Sequence, residues 1–430
     1  MPTTVDYMVI GAGIVGLATA YHIKRMSPSS RVLVVEREPS PGGGDTGKSM
    51  AAFRTIFTSR VSSMLAGSTI AFYSDIQRKG RDLGLTWSGY LFVLDRTLRS
   101  VVEEALASLG GRGVDWDWVE PEVLESKLGL RINVSRMEEA ELMGVSDVEG
   151  GVLVRKAGFL DAEKVVDFYF RESESMGIHF LFGVEVERLL MEPRTPQLGV
   201  EGEPFPWQLP RVSGALLSGG LEVKVRYKTV VAAGVWANRI LNPIGIDTFT
   251  RPKKRQVFRI PARGDLERLL EEGDMTGSGS PPLIILPRRV LVRPAIREKS
   301  FWVQLSDELG RPFKLEESPA AEEYYFNLAI SPILSLYLPA FDGARPAGGW
   351  AGHYDVSFDG NPVVFEPYDS DLVVAGGTSG SGIMKADGIG RVAAGLALGM
   401  DEVDLYTGER FKVAWLGLER RMCEREKLVL

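Results

Sequence analysis

Three glycines near the start of the chain, Gly11-x-Gly13-x-x-Gly16, stand between a short apolar run and an amphipathic one. Tyr7-Met8-Val9-Ile10 reads as a buried strand. Leu17–Met26 reads as a helix with Leu17, Ala20, Tyr21 and Ile23 turned toward the sheet. Pro28 and its neighbouring serines close that helix, and Arg31–Glu36 is the next strand. Parallel strands joined through a helix make a βαβ unit. At such a strand-to-helix turn the glycines permit a tight bend, close backbone approach to a pyrophosphate, and close helix–strand packing. The turn includes Ile14 and Val15, and its helix N-terminus offers unpaired N–H groups and a positive dipole end to phosphates. Glu36 follows Gly16 by 20 residues at the end of the second strand, where a carboxylate binds ribose hydroxyls. The pattern predicts dinucleotide binding without separating FAD from NAD. The alternative is a Gly-rich turn in an unrelated α/β fold.

Bulk properties narrow the class. At 430 residues, two domains are expected. The net charge of -7, with no Lys/Arg-rich block against it, speaks against a nucleic-acid partner. A single cysteine, Cys423, allows no internal disulfide framework or thiolate metal site, and three histidines are too few for a His-rich metal centre. No metal is expected. No run reaches the roughly 18 apolar residues of a membrane span. The first strand begins within ten residues, so no cleavable signal peptide is expected. A cytoplasmic enzyme is expected, with peripheral membrane association left open. Of the 50 basic residues 35 are Arg, and there are five Asn and five Gln, a balance that fits a heat-adapted source.

A second motif invites a different reading. Gly42-Gly43-Gly44-Asp45-Thr46-Gly47-Lys48-Ser49 satisfies the P-loop pattern, with Lys48 for phosphates and Ser49 for magnesium. Arg37-Glu38-Pro39-Ser40-Pro41 separates it from the preceding strand, whereas a P-loop follows its strand directly. The competing reading lays Thr46, Lys48 and Ser49 along the same dinucleotide. Helices are expected at Leu65–Leu83 and Ala162–Met176, and β runs at Gly89–Leu94, Gly183–Leu190, Val223–Ala232, Val290–Val292 and Phe301–Leu305. Thr195–Pro210, with four prolines, reads as a surface excursion of a hairpin. A second Gly-rich stretch, Ala375–Gly390, opens a helix over Met384–Leu398. Lys253-Lys254-Arg255 reads as a solvated basic face, and Glu419–Lys427 as an exposed helix. Leu428-Val429-Leu430 would be costly to leave in water, so docking at a pocket mouth or subunit interface is expected, against a disordered tail.

Five segments in order resemble the D-amino-acid oxidase-like (DAO) flavoprotein superfamily: Asp6–Gly16 with Glu36-Arg37; Thr46–Arg54; Val230–Ala237; Trp350–Pro362; and Gly376–Met384. The resemblance runs from residue 6 to residue 390. It implies an α/β fold with a Rossmann-type FAD-binding domain built from separated segments and an inserted α+β substrate domain carrying a mixed or antiparallel sheet. The expected boundaries are 1–88, 146–240 and 345–430 for the FAD-binding domain, and 89–145 and 241–344 for the substrate domain. FAD is then the expected cofactor, contacted also by Arg37, Ala233, Gly234 and Trp236. Gly377, Ser379, Gly380, Ser381, Gly382, Ile383 and Met384 would turn N–H groups toward the flavin ring. Val186 would bracket the adenine, or is simply a core valine.

The resemblance also names substrate residues. Arg54 stands where the family's sarcosine oxidases hold the substrate carboxylate, although a surface arginine is the alternative. Those oxidases place a second cation near Met384. Here the lysine is one position on, at Lys385, which weakens a two-cation clamp. Tyr354 matches an active-site tyrosine, or is a core aromatic, and His353 should point away because strand neighbours alternate faces. Arg293-Pro294 matches a turn of dehydrogenase members and reads as structural. Where sarcosine oxidases attach FAD to a cysteine this chain has Gly352, which implies non-covalent FAD. Ser300–Gln304 lacks their lysine over the flavin, which favours a dehydrogenase passing electrons to a carrier. The resulting expectation is oxidation of a small amino or imino acid by hydride transfer to flavin N5, in the manner of the dye-linked L-proline dehydrogenases. The alternatives are an N-methyl amino acid such as sarcosine, a hydroxy acid, or a non-catalytic FAD-binding subunit. Homo-oligomerisation is left open.

Overall fold

The computed structural model of the 430-residue chain describes residues 3–108, 115–197, 200–306 and 309–427. The Thr4–Ile10 strand lies inside a sheet and is apolar on both faces. Tyr7 and Val9 join one core, while Val5, Met8 and Ile10 join another. That sheet runs Val363–Phe365, Leu372–Gly376, Leu221–Val231, Thr4–Ile10, Val32–Glu36, His179–Phe182. Its neighbours are parallel except for the antiparallel edge Val363–Phe365. The helices Ile14–Met26, Arg60–Arg78, Ala162–Ser175 and Ala386–Ala397 cover the Tyr7/Val9 face. Ile14–Met26 and Ala386–Ala397 cross tightly, because a Cβ at Gly390 would stand 2.7 Å from the Ala18 carbonyl carbon. Val186–Pro193 and Pro210–Leu217 form an antiparallel extension over the opposite face.

The second sheet has eight strands: Gly348–Ser357, Thr250–Pro261, Ser300–Leu305, Val290–Ala295, Leu283–Leu286, Tyr90–Leu94, Gly150–Val154 and Trp116–Val119. All its pairs are antiparallel except Leu283–Leu286 with Tyr90–Leu94. Period-two alternation divides its residues. Leu91, Phe258, Ile260, Val292, Phe301 and Val303 fill a core under helices, whereas Tyr90, Leu291, Gln304, Arg255 and Tyr354 face a cavity between the sheets.

Four sequence expectations are corrected. Gly150–Val154 and Gly348–Ser357 pair in the second sheet, although boundaries at 146 and 345 assign them to the first unit. An apolar strand carries no local mark of which sheet its hydrogen bonds will join. The helix after the second Gly-rich stretch begins at Ala386, not Met384, because the left-handed Ser379 and Gly380 hold the turn open. Lys253, Lys254 and Arg255 are not solvated: all are buried within the Thr250–Pro261 strand. Lys254 Nζ meets Glu322 at 3.0 Å and Glu316 at 3.3 Å. Glu419–Lys427 is not a helix. Its charges are good helix formers, but fixed partners hold the segment extended. Arg421 donates to both oxygens of Asp359 at 2.8 and 2.7 Å, and Glu424 accepts from the Arg60 N–H at 2.6 Å. The tail Leu428–Leu430, expected to dock, lies outside the described residues.

Candidate active site

One cavity of about 620 Å³ is lined by Glu36 and Val186 of the first sheet, by Tyr90, Arg255 and Tyr354 of the second, and by Arg54. Its first section is the glycine turn. Gly11, Gly13, Ile14 and Val15 line it. Gly11 sits at φ +105° with its missing Cβ only 2.6 Å from the Ala232 carbonyl oxygen, so a side chain would collide with the next strand. Gly16 lies behind the wall, packed on the Gly11 carbonyl, and serves helix–strand closeness without touching the cavity. Glu36 Oε2 accepts from the Ala12 N–H at 2.6 Å and Oε1 from the Glu38 N–H at 2.9 Å, which fixes the carboxylate at the strand end. Arg37 stacks on Trp236 at 3.8 Å, and both line the cavity with Val186, Ala233 and Gly234.

Thr46, Lys48 and Ser49 also line it. Thr46 Oγ1 accepts from the Ile14 N–H at 3.1 Å, which ties this loop to the glycine turn. The loop leads into the strand Ala52–Arg54, not into a helix, so the strand–loop–helix context of an ATP-binding P-loop is missing. Instead it docks on the second sheet. The Trp350 indole N–H donates to the Lys48 carbonyl at 2.8 Å, and the His353 N–H to Asp45 Oδ1 at 2.8 Å. His353 borders the cavity while its Nε2 accepts from the Glu316 N–H at 3.3 Å. Gly352 lines the cavity where a Cβ would stand 2.9 Å from Asp45 Oδ1. The cysteine, Cys423, is exposed and away from the lining.

Ser379, Gly380, Ser381, Gly382, Ile383 and Met384 form the facing wall, with Gly377 just behind it. The Gly377 N–H donates to Asp355 Oδ2 at 2.6 Å, and burial pushes the Asp355 carboxyl above the usual carboxylate range. Gly380, at φ +83°, lies flat against the Tyr354 ring.

Arg54 is 4% exposed and lies over the Phe57 ring at 4.5 Å, with Nη1 donating to the Ile56 carbonyl at 3.2 Å. Burial lowers its pKa and the Glu426 carboxylate opposes that. Tyr354 lines the same cavity, its hydroxyl accepting from Gln304 Nε2 at 3.2 Å and its ring lying 5.0 Å from the Arg255 guanidinium. Lys385 is the exception. It is fully buried outside the cavity wall, behind Phe57 at 4.3 Å, with Nζ donating to Ser62 Oγ at 2.7 Å. Burial pulls its pKa down to about 7. The one-residue offset therefore moves the lysine from the cavity into the core, and the two-cation clamp is not made. Arg293 is buried between Phe159 at 4.9 Å and Trp302 at 4.3 Å.

Residues missed at the sequence level are Arg255, Gln304, Tyr90, Asp355 and Glu426. Gln304 had a signal, as an amide in an otherwise apolar strand. Arg255 was hidden by two adjacent lysines, and Glu426 by a charged run whose destination is set by contacts far along the chain.

These residues fit FAD. A glycine turn that admits no Cβ, a fixed carboxylate at the strand end, and a second backbone loop line one cavity. Comparison with known proteins agrees. The chain is similar to FAD-dependent oxidoreductase domain-containing protein 1 of Xenopus laevis, 23% identical over 92% of this chain and 79% of that one. The fold matches L-proline dehydrogenase from P. horikoshii, with TM-score 0.73, 20% identity and 97% of each chain covered. It also matches glycine oxidase from Bacillus cereus, with TM-score 0.68, 18% identity, and 94% and 98% covered. The family description "FAD dependent oxidoreductase" (DAO) matches residues 6–396. A match of that length, on a cavity shaped for the cofactor, places the chain in the DAO family of FAD-dependent oxidoreductases.

Proposed function

We propose that this protein is an FAD-dependent dehydrogenase that oxidises the C–N bond of a small amino or imino acid, with L-proline as its substrate. Arg54 carries the reading: a buried guanidinium in the wall of the cofactor cavity, on the same cavity as the Ser379–Met384 turn. A guanidinium grips a carboxylate through two parallel hydrogen bonds, and burial keeps water from competing. Tyr354, held by Gln304, and Tyr90 would border the rest of the substrate. When bound, FAD supplies the hydride acceptor. The chain's part is to anchor the carboxylate, orient the C–H bond and exclude water. The likeness to an L-proline dehydrogenase over 97% of both chains supports proline as substrate. The likeness to a glycine oxidase supports a second reading, a very small amino acid such as sarcosine. A carrier as electron acceptor is favoured by Gln304, which lines the cavity on the strand where the related oxidases have lysine. Among the described residues no helix is long and apolar enough to cross a membrane.

Anaerobic mixing of the holoenzyme with a panel of amino acids and hydroxy acids, followed by flavin absorbance, tests the proposal. L-Proline should bleach the flavin fastest. Bleaching by hydroxy acids alone, or by no member of the panel, would reject it.

A further inference from the structure

The C-terminal segment brings a carboxylate to the wall that holds Arg54. Glu426 is 4% exposed and lines the cavity. Its Oε1 accepts from the Thr58 N–H at 3.2 Å and the Thr58 hydroxyl at 3.1 Å, and its Oε2 from the Ser59 N–H at 3.0 Å. Its own N–H donates to the Asp359 carbonyl at 2.9 Å, and the next N–H, of Lys427, donates to Thr58 Oγ1 at 2.8 Å. Thr58 and Ser59 follow Arg54 by four and five residues and lead into the Arg60–Arg78 helix. The guanidinium and the carboxylate line the same cavity, near enough that the carboxylate opposes the effect of burial on Arg54.

We infer that Glu426 is a specificity-determining residue: its carboxylate recognises the cationic nitrogen of an amino-acid zwitterion whose own carboxylate lies on Arg54. This rests on the reading of Arg54 as the carboxylate anchor. Arg54 alone would attract any carboxylate. With a negative charge buried in the same wall, a monoanion loses to Glu426 part of what it gains at Arg54, whereas a zwitterion gains at both. The field of Glu426 is felt at both neighbouring cations, since it opposes the effect of burial on Arg54 and on Lys385. Lys385 stands outside the cavity lining, with Nζ 4.3 Å from the Phe57 ring. Glu426 acts at binding, before any chemistry at the C–H bond. Selection of amino acids over hydroxy acids of the same shape would then lie in a residue of the C-terminal segment, distant in sequence from the cofactor motifs.

Three isosteric ligands without an α-hydrogen separate recognition from turnover: 2-methylalanine, 2-hydroxy-2-methylpropanoate and pivalate. Their dissociation constants are measured by calorimetry on the oxidised holoenzyme. The wild type should bind 2-methylalanine most tightly. Glu426→Gln should weaken 2-methylalanine and tighten the two monoanions, so that their ratio shifts by about tenfold or more. A merely structural role would move all three in the same direction, and that result overturns the inference. Should the glutamine variant not fold, Glu426→Asp carries the test: the withdrawn carboxylate should weaken 2-methylalanine but not pivalate, and equal weakening overturns it. If Arg54→Ala weakens all three ligands while Glu426→Gln leaves their ratio unchanged, only the role of Glu426 is lost. If Arg54→Ala changes none of them, the anchor reading itself fails.

Discussion

Removing the Arg54 side chain is the sharpest perturbation of the proposed substrate site. Arg54 is 4% exposed, and water entering the space its side chain leaves would bring neither the positive charge nor the fixed pair of N–H donors. A carboxylate left in that pocket would lose charge-assisted hydrogen bonds worth about 2–4 kcal/mol together. At about 1.4 kcal/mol per tenfold change, Arg54→Ala should lower kcat/KM by roughly 30- to 700-fold. Most of the loss should appear in KM, because the carboxylate is gripped equally in the ground and transition states. Arg54→Lys should recover only part of it. An ammonium is a point charge that cannot reproduce the planar fork or the contact over Phe57. Steady-state kinetics with L-proline and an artificial dye measures both variants, and millimolar guanidinium added to Arg54→Ala should restore part of the rate. Flavin absorbance and melting curves check that the cofactor and fold survive. An alanine variant with unchanged kcat/KM would remove Arg54 from the substrate site.

Four further outcomes are expected. Acid or heat should release all flavin into solution, since Cys423 is exposed and away from the cavity; flavin remaining with the denatured chain would contradict this. Gly380→Ala should destabilise the protein by about 1–3 kcal/mol, because the residue sits at φ +83° with the Tyr354 ring where a Cβ would go; an unshifted melting curve would refute that packing. Burial lowers the Lys385 pKa from 10.5 to about 7. Between those values the unfolded chain binds the extra proton, so this group makes stability rise with pH across that window. Its penalty is complete below the folded pKa. Lys385→Met should flatten the slope, and denaturant melts from pH 6 to 10 with identical slopes in both proteins would exclude the effect. Turnover with an artificial dye should far exceed turnover with oxygen, and equal rates would mark an oxidase.

The local sequence determined the cofactor half of this protein. A glycine turn between a strand and a helix, a carboxylate 20 residues on, and a second glycine run all act through backbone conformation and near neighbours, so their spacing is written in the chain. Each of these segments lines the one cavity, with Gly16 and Gly377 outside its lining. What lies opposite was decided by tertiary structure. Strand alternation alone could not tell that Arg255 faces the cavity while Lys254 pairs with Glu316 and Glu322, because both faces of the Thr250–Pro261 strand are buried. Nor could one-residue alignment place Lys385, which the helix start turns into the core. The charged C-terminal run is the clearest case. Composition reads it as a solvated helix, yet hydrogen bonds to Asp359, Thr58, Ser59 and Arg60, as much as 369 residues away in sequence, pull it straight and carry Glu426 into the cavity wall. Contacts at that separation leave no local pattern, because neither partner's neighbours need to change for the pair to form.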